Sequence, residues 1–120
     1  MTIHIHGVST RLAVPGHSFV RATWIYRTTD PLAVTLAVFG ERRSWPVEWQ
    51  LSRQLLGASF LGPVGDGDVA LCVDAGGLHI RLSSPDGEAE LTGDSVVAWG
   101  FLTDTFEILA PCPARWCGDW

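Results

Sequence analysis

The run Phe19-Val20-Arg21-Ala22-Thr23-Trp24-Ile25-Tyr26, then Arg27-Thr28-Thr29-Asp30-Pro31, then Leu32-Ala33-Val34-Thr35-Leu36-Ala37-Val38-Phe39, decides the fold. Its first part is dense in β-branched and aromatic residues and reads as a strand. Asp30-Pro31 stops that strand, because proline drives the residue before it out of the helical region. The mostly apolar second part reads as the next strand. Too few residues lie between them for a parallel crossover, so the two pair antiparallel.

The pattern extends outward from this hairpin. Ile3, Ile5, Leu12 and Val14 alternate with His4, His6, Arg11 and Ala13, which reads as half-buried strand closed by the Pro15-Gly16 turn. Gly40-Glu41-Arg42-Arg43 reads as a polar hairpin loop, and Ser44 to Trp49 as a fourth strand. Leu51, Leu55 and Leu56 recur at helical spacing, which predicts a short helix from Leu51 to Ala58 with Gly57 as its stop. Gly62 to Asp68 is a loop by composition. Strands resume over Val69–Asp74 and Leu78–Ser83. Ser84-Pro85-Asp86-Gly87 is a strong turn signal, and Glu88–Leu91 pairs back.

The C-terminal part reads as a helix. Asp94 is its N-cap candidate, since the carboxylate accepts from unpaired amides of the first turn. Val96, Trp99, Leu102, Phe106 and Leu109 form one apolar stripe, and Val97, Phe101 and Ile108 lie off it. Pro111 ends the helix. A helix apolar on two sides either meets another subunit or partner, or is wedged between sheets of its own domain. The expectation is an α+β domain of about seven antiparallel strands with a short middle helix and a C-terminal helix. Residues 1–110 form that single domain, and residues 111–120 a short tail.

Composition bounds the function. The chain has 120 residues, the size of one domain, with 47% apolar and 18% charged residues. All eight basic residues are arginine, set against 13 Asp plus Glu, for a net charge of −5. Scattered arginines on an acidic chain disfavour a general binder of nucleic acid or anionic membrane. No stretch approaches the roughly 18–20 apolar residues that span a bilayer. Met1 to Gly7 carries no basic n-region and does not read as a signal peptide, so the expected compartment is the cytoplasm. Cys72, Cys112 and Cys117 make an odd count, which argues against a complete disulfide framework.

No reaction type is supported. His4 and His6 share a strand face, a spacing that suits Zn²⁺ only if further ligands converge, and His17, His79 and the cysteines are not fixed nearby. Cys112 and Cys117 flank a four-residue gap, unlike the two-residue redox spacing. Gly62 to Gly67 lacks the Lys-Ser/Thr of a phosphate loop. Asp66, Asp68 and Asp74 lack the ligand ladder of a calcium loop. Glu88 and Glu90 read as a solvated strand face. No serine occupies a Gly-x-Ser-x-Gly elbow. No cofactor or metal is called for, and the chain does not read as an enzyme. Trp24, Trp45 and Trp49 are amphipathic anchors that serve a core or, where exposed, a contact surface.

Four segments in register resemble one family. Tyr26-Arg27-Thr28-Thr29-Asp30-Pro31-Leu32-Ala33-Val34 resembles its Y-x-T-x-DP-x-AV strand entry. Val47-Glu48-Trp49 with Ser52-Arg53-Gln54-Leu55-Leu56 resembles its VEW…(A/S)R-x-LL step from strand to helix. Gly65-Asp66-Gly67-Asp68-Val69 resembles its G-x-GDV loop, and Leu82-Ser83-Ser84-Pro85-Asp86-Gly87-Glu88-Ala89 its LSSP-(D/E)-GEA hairpin. Together, over Ile3 to Leu109, these are similar to the SsgA-like proteins of actinobacteria. The cysteine-containing tail and the Pro15-Gly16 turn depart from the pattern.

The resemblance implies a whirly-like subunit of two antiparallel sheets packed with helices, assembled as a homotrimer. It implies a non-enzymatic regulator of sporulation-specific cell division and septation, working at the septum with FtsZ or another SsgA-like protein. The candidate partner or oligomer surface is Trp99, Phe101, Phe106, Ile108, Trp45 and Trp49. The alternative is a single-stranded nucleic-acid-binding whirly-like domain, which has the aromatics but the wrong sign of charge.

Overall fold

The structure, a computed structural model, describes residues 4–16, 19–40, 47–85 and 87–109. Its strands are β1 (Ile5–Ala13), β2 (Phe19–Arg27), β3 (Ala33–Phe39), β4 (Val47–Ser52), β5 (Val64–Asp66), β6 (Val69–Asp74), β7 (Gly77–Ser84) and β8 (Gly87–Gly93). Helix α1 covers Arg53–Ala58 and α2 covers Ser95–Ile108. The segment 44–46, the loop 41–43, Pro111 and both tail cysteines fall outside the described residues.

All eight strands belong to one antiparallel sheet in the order β4-β3-β2-β1-β8-β7-β6-β5. This corrects the expectation of two sheets and about seven strands. The sheet consists of two meanders, β1–β4 and β5–β8, whose one ladder pair across the seam among the described residues is Ala13 with Thr92. The extra strand, β5, lies in the stretch read as a loop. Val64, Gly65 and Asp66 pair with Leu71, Ala70 and Val69 around a two-residue turn at Gly67-Asp68. Gly67 has φ +61°, the positive value that a II′ hairpin needs at its first central residue. Turn chemistry dominates the composition there and hides the strand.

Period-two alternation sends Leu12, Trp24, Tyr26 and Leu36 from the first meander to one face, and Leu71, Leu78, Ile80 and Leu82 from the second to the same core. The sheet curls around α2. Ala98, Phe101 and Leu102 are buried there, with Phe101 stacked on Trp24 at 5.8 Å between ring centroids. Each large side chain buried in this way stabilises the fold by roughly 1.5–3 kcal/mol.

The helix ends follow from local chemistry. Asp94 caps α2, its Oδ1 accepting from the N–H of Val96 at 2.8 Å and of Val97 at 3.2 Å. The Ser52 hydroxyl caps α1, accepting from the N–H of Leu55 at 3.1 Å. Leu51, read as the first helical residue, lies in β4 instead. Gly57, read as a stop, lies inside α1, where a Cβ would sit 3.6 Å from Leu102 Cδ2.

Candidate functional site: an apolar strip on the helices

The inner face of α2 is Ala98, Phe101, Leu102 and Thr105. Three- and four-residue steps therefore leave Val96, Trp99 and Phe106 on its outer face. Val96 is 78% exposed, Trp99 54% and Phe106 38%. Both sides of the helix are apolar, so periodicity alone does not say which side faces the core.

The strip continues onto the turn after α1. The Phe60 ring meets Trp99 edge-on at 4.9 Å, and Leu61, next in the chain, is 93% exposed. Aromatic side chains held rigid by neighbours, with apolar area in water, are the usual anchors of protein contacts.

Arg53 fixes the far end of the strip. It is 3% exposed. Its Nη1 donates to Tyr26 Oη at 3.2 Å and to the carbonyls of Thr105 at 3.1 Å and Leu109 at 2.7 Å. The guanidinium carbon lies 5.3 Å from the Tyr26 ring centroid and 4.6 Å from that of Phe106. A buried cation needs hydrogen-bonded compensation. Here it comes from the negative end of the α2 dipole and two ring faces. Tyr26 Oη in turn donates to the carbonyl of Pro31 at 3.1 Å.

The six candidate residues are therefore divided. Trp99 and Phe106 share the outer strip. Phe101 is 1% exposed, within the core, and Ile108 and Trp49 are half-buried against that core. Trp45 lies outside the described residues. Phe60, Leu61 and Arg53 were missed. The sequence signal for the first two was an apolar pair between the short helix and Gly62-Pro63. For Arg53 no local signal existed, since its partners Tyr26, Thr105 and Leu109 are all distant in the chain.

The polar candidates serve local structure. His6 Nε2 is 2.9 Å from Asp104 Oδ2, and its ring stacks on Phe101 at 6.0 Å. His4 is exposed just before β1. His79 Nε2 lies 2.8 Å from Asp74 Oδ1, and its Nδ1 is 3.3 Å from the Thr92 hydroxyl. The His79 hydrogen bond, then the Gly76 N–H, hold the Asp74 carboxyl below the usual carboxylate range. Glu90 pairs with Arg81 at 3.2 Å. Among the described residues no three His, Cys, Asp or Glu converge as metal ligands. No helix among them is long and apolar enough to cross a membrane. Trp24 is 1% exposed, so it offers no stacking platform to a nucleic-acid base.

A curled antiparallel sheet closed by two helices, with an apolar strip where those helices face solvent, defines the class. The sequence profile described as "Streptomyces sporulation and cell division protein, SsgA" matches residues 20–112. The chain belongs to this SsgA family. It is 37% identical over 107 residues to the sporulation-specific cell division protein SsgB of Frankia casuarinae, covering 82% of this chain and 73% of that protein. It is also 37% identical over 90 residues to SsgB of Streptomyces coelicolor, covering 72% and 65%.

Two solved structures share the fold. One comes from work reporting that mutations in SsgB correlate to longitudinal cell division during sporulation of Streptomyces coelicolor. It has a TM-score of 0.79 at 29% identity, over 92% of this chain and 91% of that one. The other is the SsgA-like sporulation-specific cell division protein of Thermobifida fusca, with a TM-score of 0.74 at 30% identity, over 92% and 84%.

Proposed function

We propose that this chain regulates sporulation-specific cell division and septation without catalysis, by binding proteins through the outer strip of α2 and the turn after α1. The observation that carries it is Trp99, half exposed yet braced by Phe60, beside a fully presented Leu61. Family membership supports the biological setting. The first contact is self-assembly, as a homotrimer of whirly-like subunits. The second is a division protein, FtsZ or another SsgA-like protein, met in the cytoplasm at the septum.

Light scattering on a size-exclusion column tests self-assembly. Wild type is expected at three times the subunit mass, and Trp99→Asp at one. The aspartate faces water, so the variant folds. A wild-type monomer overturns the self-assembly. A pull-down from sporulating cells tests the rest: recovery of no division protein by wild type sinks it.

A further inference from the structure

The outer face of β1–β3 carries charges set against their own electrostatics. Arg11 of β1 and Arg21 of β2 are directly opposite one another, and both are exposed. Opposed side chains on neighbouring strands have Cβ atoms about 4.5–5.5 Å apart, where like charges destabilise the pairing. Among the described residues no carboxylate is paired with either one. The ion pairs among the described residues involve His6, His79 and Arg81. Arg21 instead lies over the ring of Phe39, its cross-strand neighbour on β3, at 5.5 Å. The two arginines, Ser9, Thr23 and Phe39 border a groove of about 550 Å³. On a chain of net charge −5, acids are plentiful, yet the cross-strand partners described for Arg21 are Arg11 and Phe39.

We propose that this groove is an anion-binding cleft that docks an extended, carboxylate-rich peptide segment of a partner protein. Two guanidinium forks side by side present paired donors that match carboxylates bidentately. Ser9 and Thr23 are also cross-strand partners, two residues further along the same face. At about 3.4 Å per residue, their hydroxyls lie within reach of the same segment and offer neutral donors to its backbone carbonyls. Phe39 supplies an apolar flank and fixes the Arg21 head. A polynucleotide fits less well. It needs a longer basic track and successive stacking platforms, whereas this face offers two charges and one ring on an acidic chain. The cleft is independent of the helix strip and of self-assembly.

Fluorescence anisotropy on the full chain tests it, with a labelled Glu/Asp-rich decapeptide as probe. The controls are its Gln/Asn counterpart and oligothymidylate. The acidic peptide is expected to bind at low salt, to weaken as salt rises, and to outbind both controls. Arg11→Gln and Arg21→Gln each weaken it roughly tenfold, the size of one charge-assisted hydrogen bond. Arg81→Gln, on the other meander, leaves it unchanged. Arg11→Glu places an acid across from Arg21, so the variant keeps its fold, as a thermal melt verifies, and loses the peptide. Any of three results overturns the proposal: no binding of the acidic peptide, full binding by Arg11→Glu, or tighter binding of oligothymidylate.

Discussion

The two meanders solve the same problem differently. In β5–β8 the exposed arginine, Arg81, stands across from Glu90 and pairs with it at 3.2 Å. In β1–β4 Arg11 stands across from Arg21. The helices treat the halves unequally too. Arg53 clamps the first meander to the end of α2 through Tyr26, Thr105 and Leu109. The second meander instead meets β1 at the seam, where a Cβ on Gly93 would lie 2.8 Å from Leu12 Cδ2, and its own β7 and β8 pass closely at Gly77 and Gly93. A half-sheet that satisfies its outer charges has only its own stability to serve. A half-sheet that leaves two like charges opposed accepts a local destabilisation, and a binding role explains why.

Removing the clamp has the largest effect. Arg53→Met keeps the stem but removes one donor each from the carbonyls of Thr105 and Leu109 and from the Tyr26 hydroxyl; Thr105 keeps the Leu109 N–H and Tyr26 keeps its bond to Pro31. The lost hydrogen bonds together with the two lost ring contacts put the cost near the upper end of the roughly 1–3 kcal/mol of a buried group that loses its partner. A loss of about 3 kcal/mol in urea unfolding is expected, with hydrogen exchange faster in β2 and the end of α2 than in β6 and β7. Equal acceleration in both meanders would erase the asymmetry. Gly77→Ala strikes the other half. Gly77 has φ +121°, and a Cβ there would lie 2.5 Å from the Gly93 carbonyl oxygen. Backbone strain of this kind costs about 1–3 kcal/mol, and a melting curve should show it.

The asymmetry explains what could be read in advance. Strand identity was legible from alternation: Phe19–Tyr26 and Leu32–Phe39 became β2 and β3 with boundaries nearly unchanged. The caps at Ser52 and Asp94 use local rules; only Asp94 was read in advance, while Ser52 was placed inside the short helix. What stayed hidden depends on distant partners. The seam at Ala13 and Thr92 joins residues far apart in the chain. The Arg11–Arg21 opposition exists only once the register is fixed. Arg53 looked like a polar helical residue, because nothing local marks a cation for burial. Trp99 and Phe101 are both apolar and two apart on α2, and only the packing against Trp24 decides which one points inward.

Reversing charges sharpens the comparison at smaller scale. Cross-strand pairs of opposite charge contribute roughly 0.2–1 kcal/mol, toward the low end when exposed. Arg11→Glu should therefore raise stability by a few tenths of a kcal/mol, while Arg81→Glu, placed across from Glu90, should lower it by a similar amount. Both shifts should shrink in high salt. Destabilisation by both substitutions would show that opposition at Arg11 and Arg21 is not felt.

The smallest effect belongs to Asp74, at the far end of β6. His79 Nε2 and the Gly76 N–H both bind Asp74 Oδ1, at 2.8 and 2.7 Å, and lower the carboxyl's pKa. A carboxyl lowered in the folded state stabilises the fold above its unfolded value. That contribution disappears as pH falls through the lowered folded value. Melting temperature should therefore drop for wild type over the window below about pH 4. Asp74→Asn should lie slightly below wild type at neutral pH and converge with it in acid. The side chains are exposed, so the gap is small. A gap that persists unchanged at the acid end would show that the carboxylate charge is not what holds the β6–β7 turn.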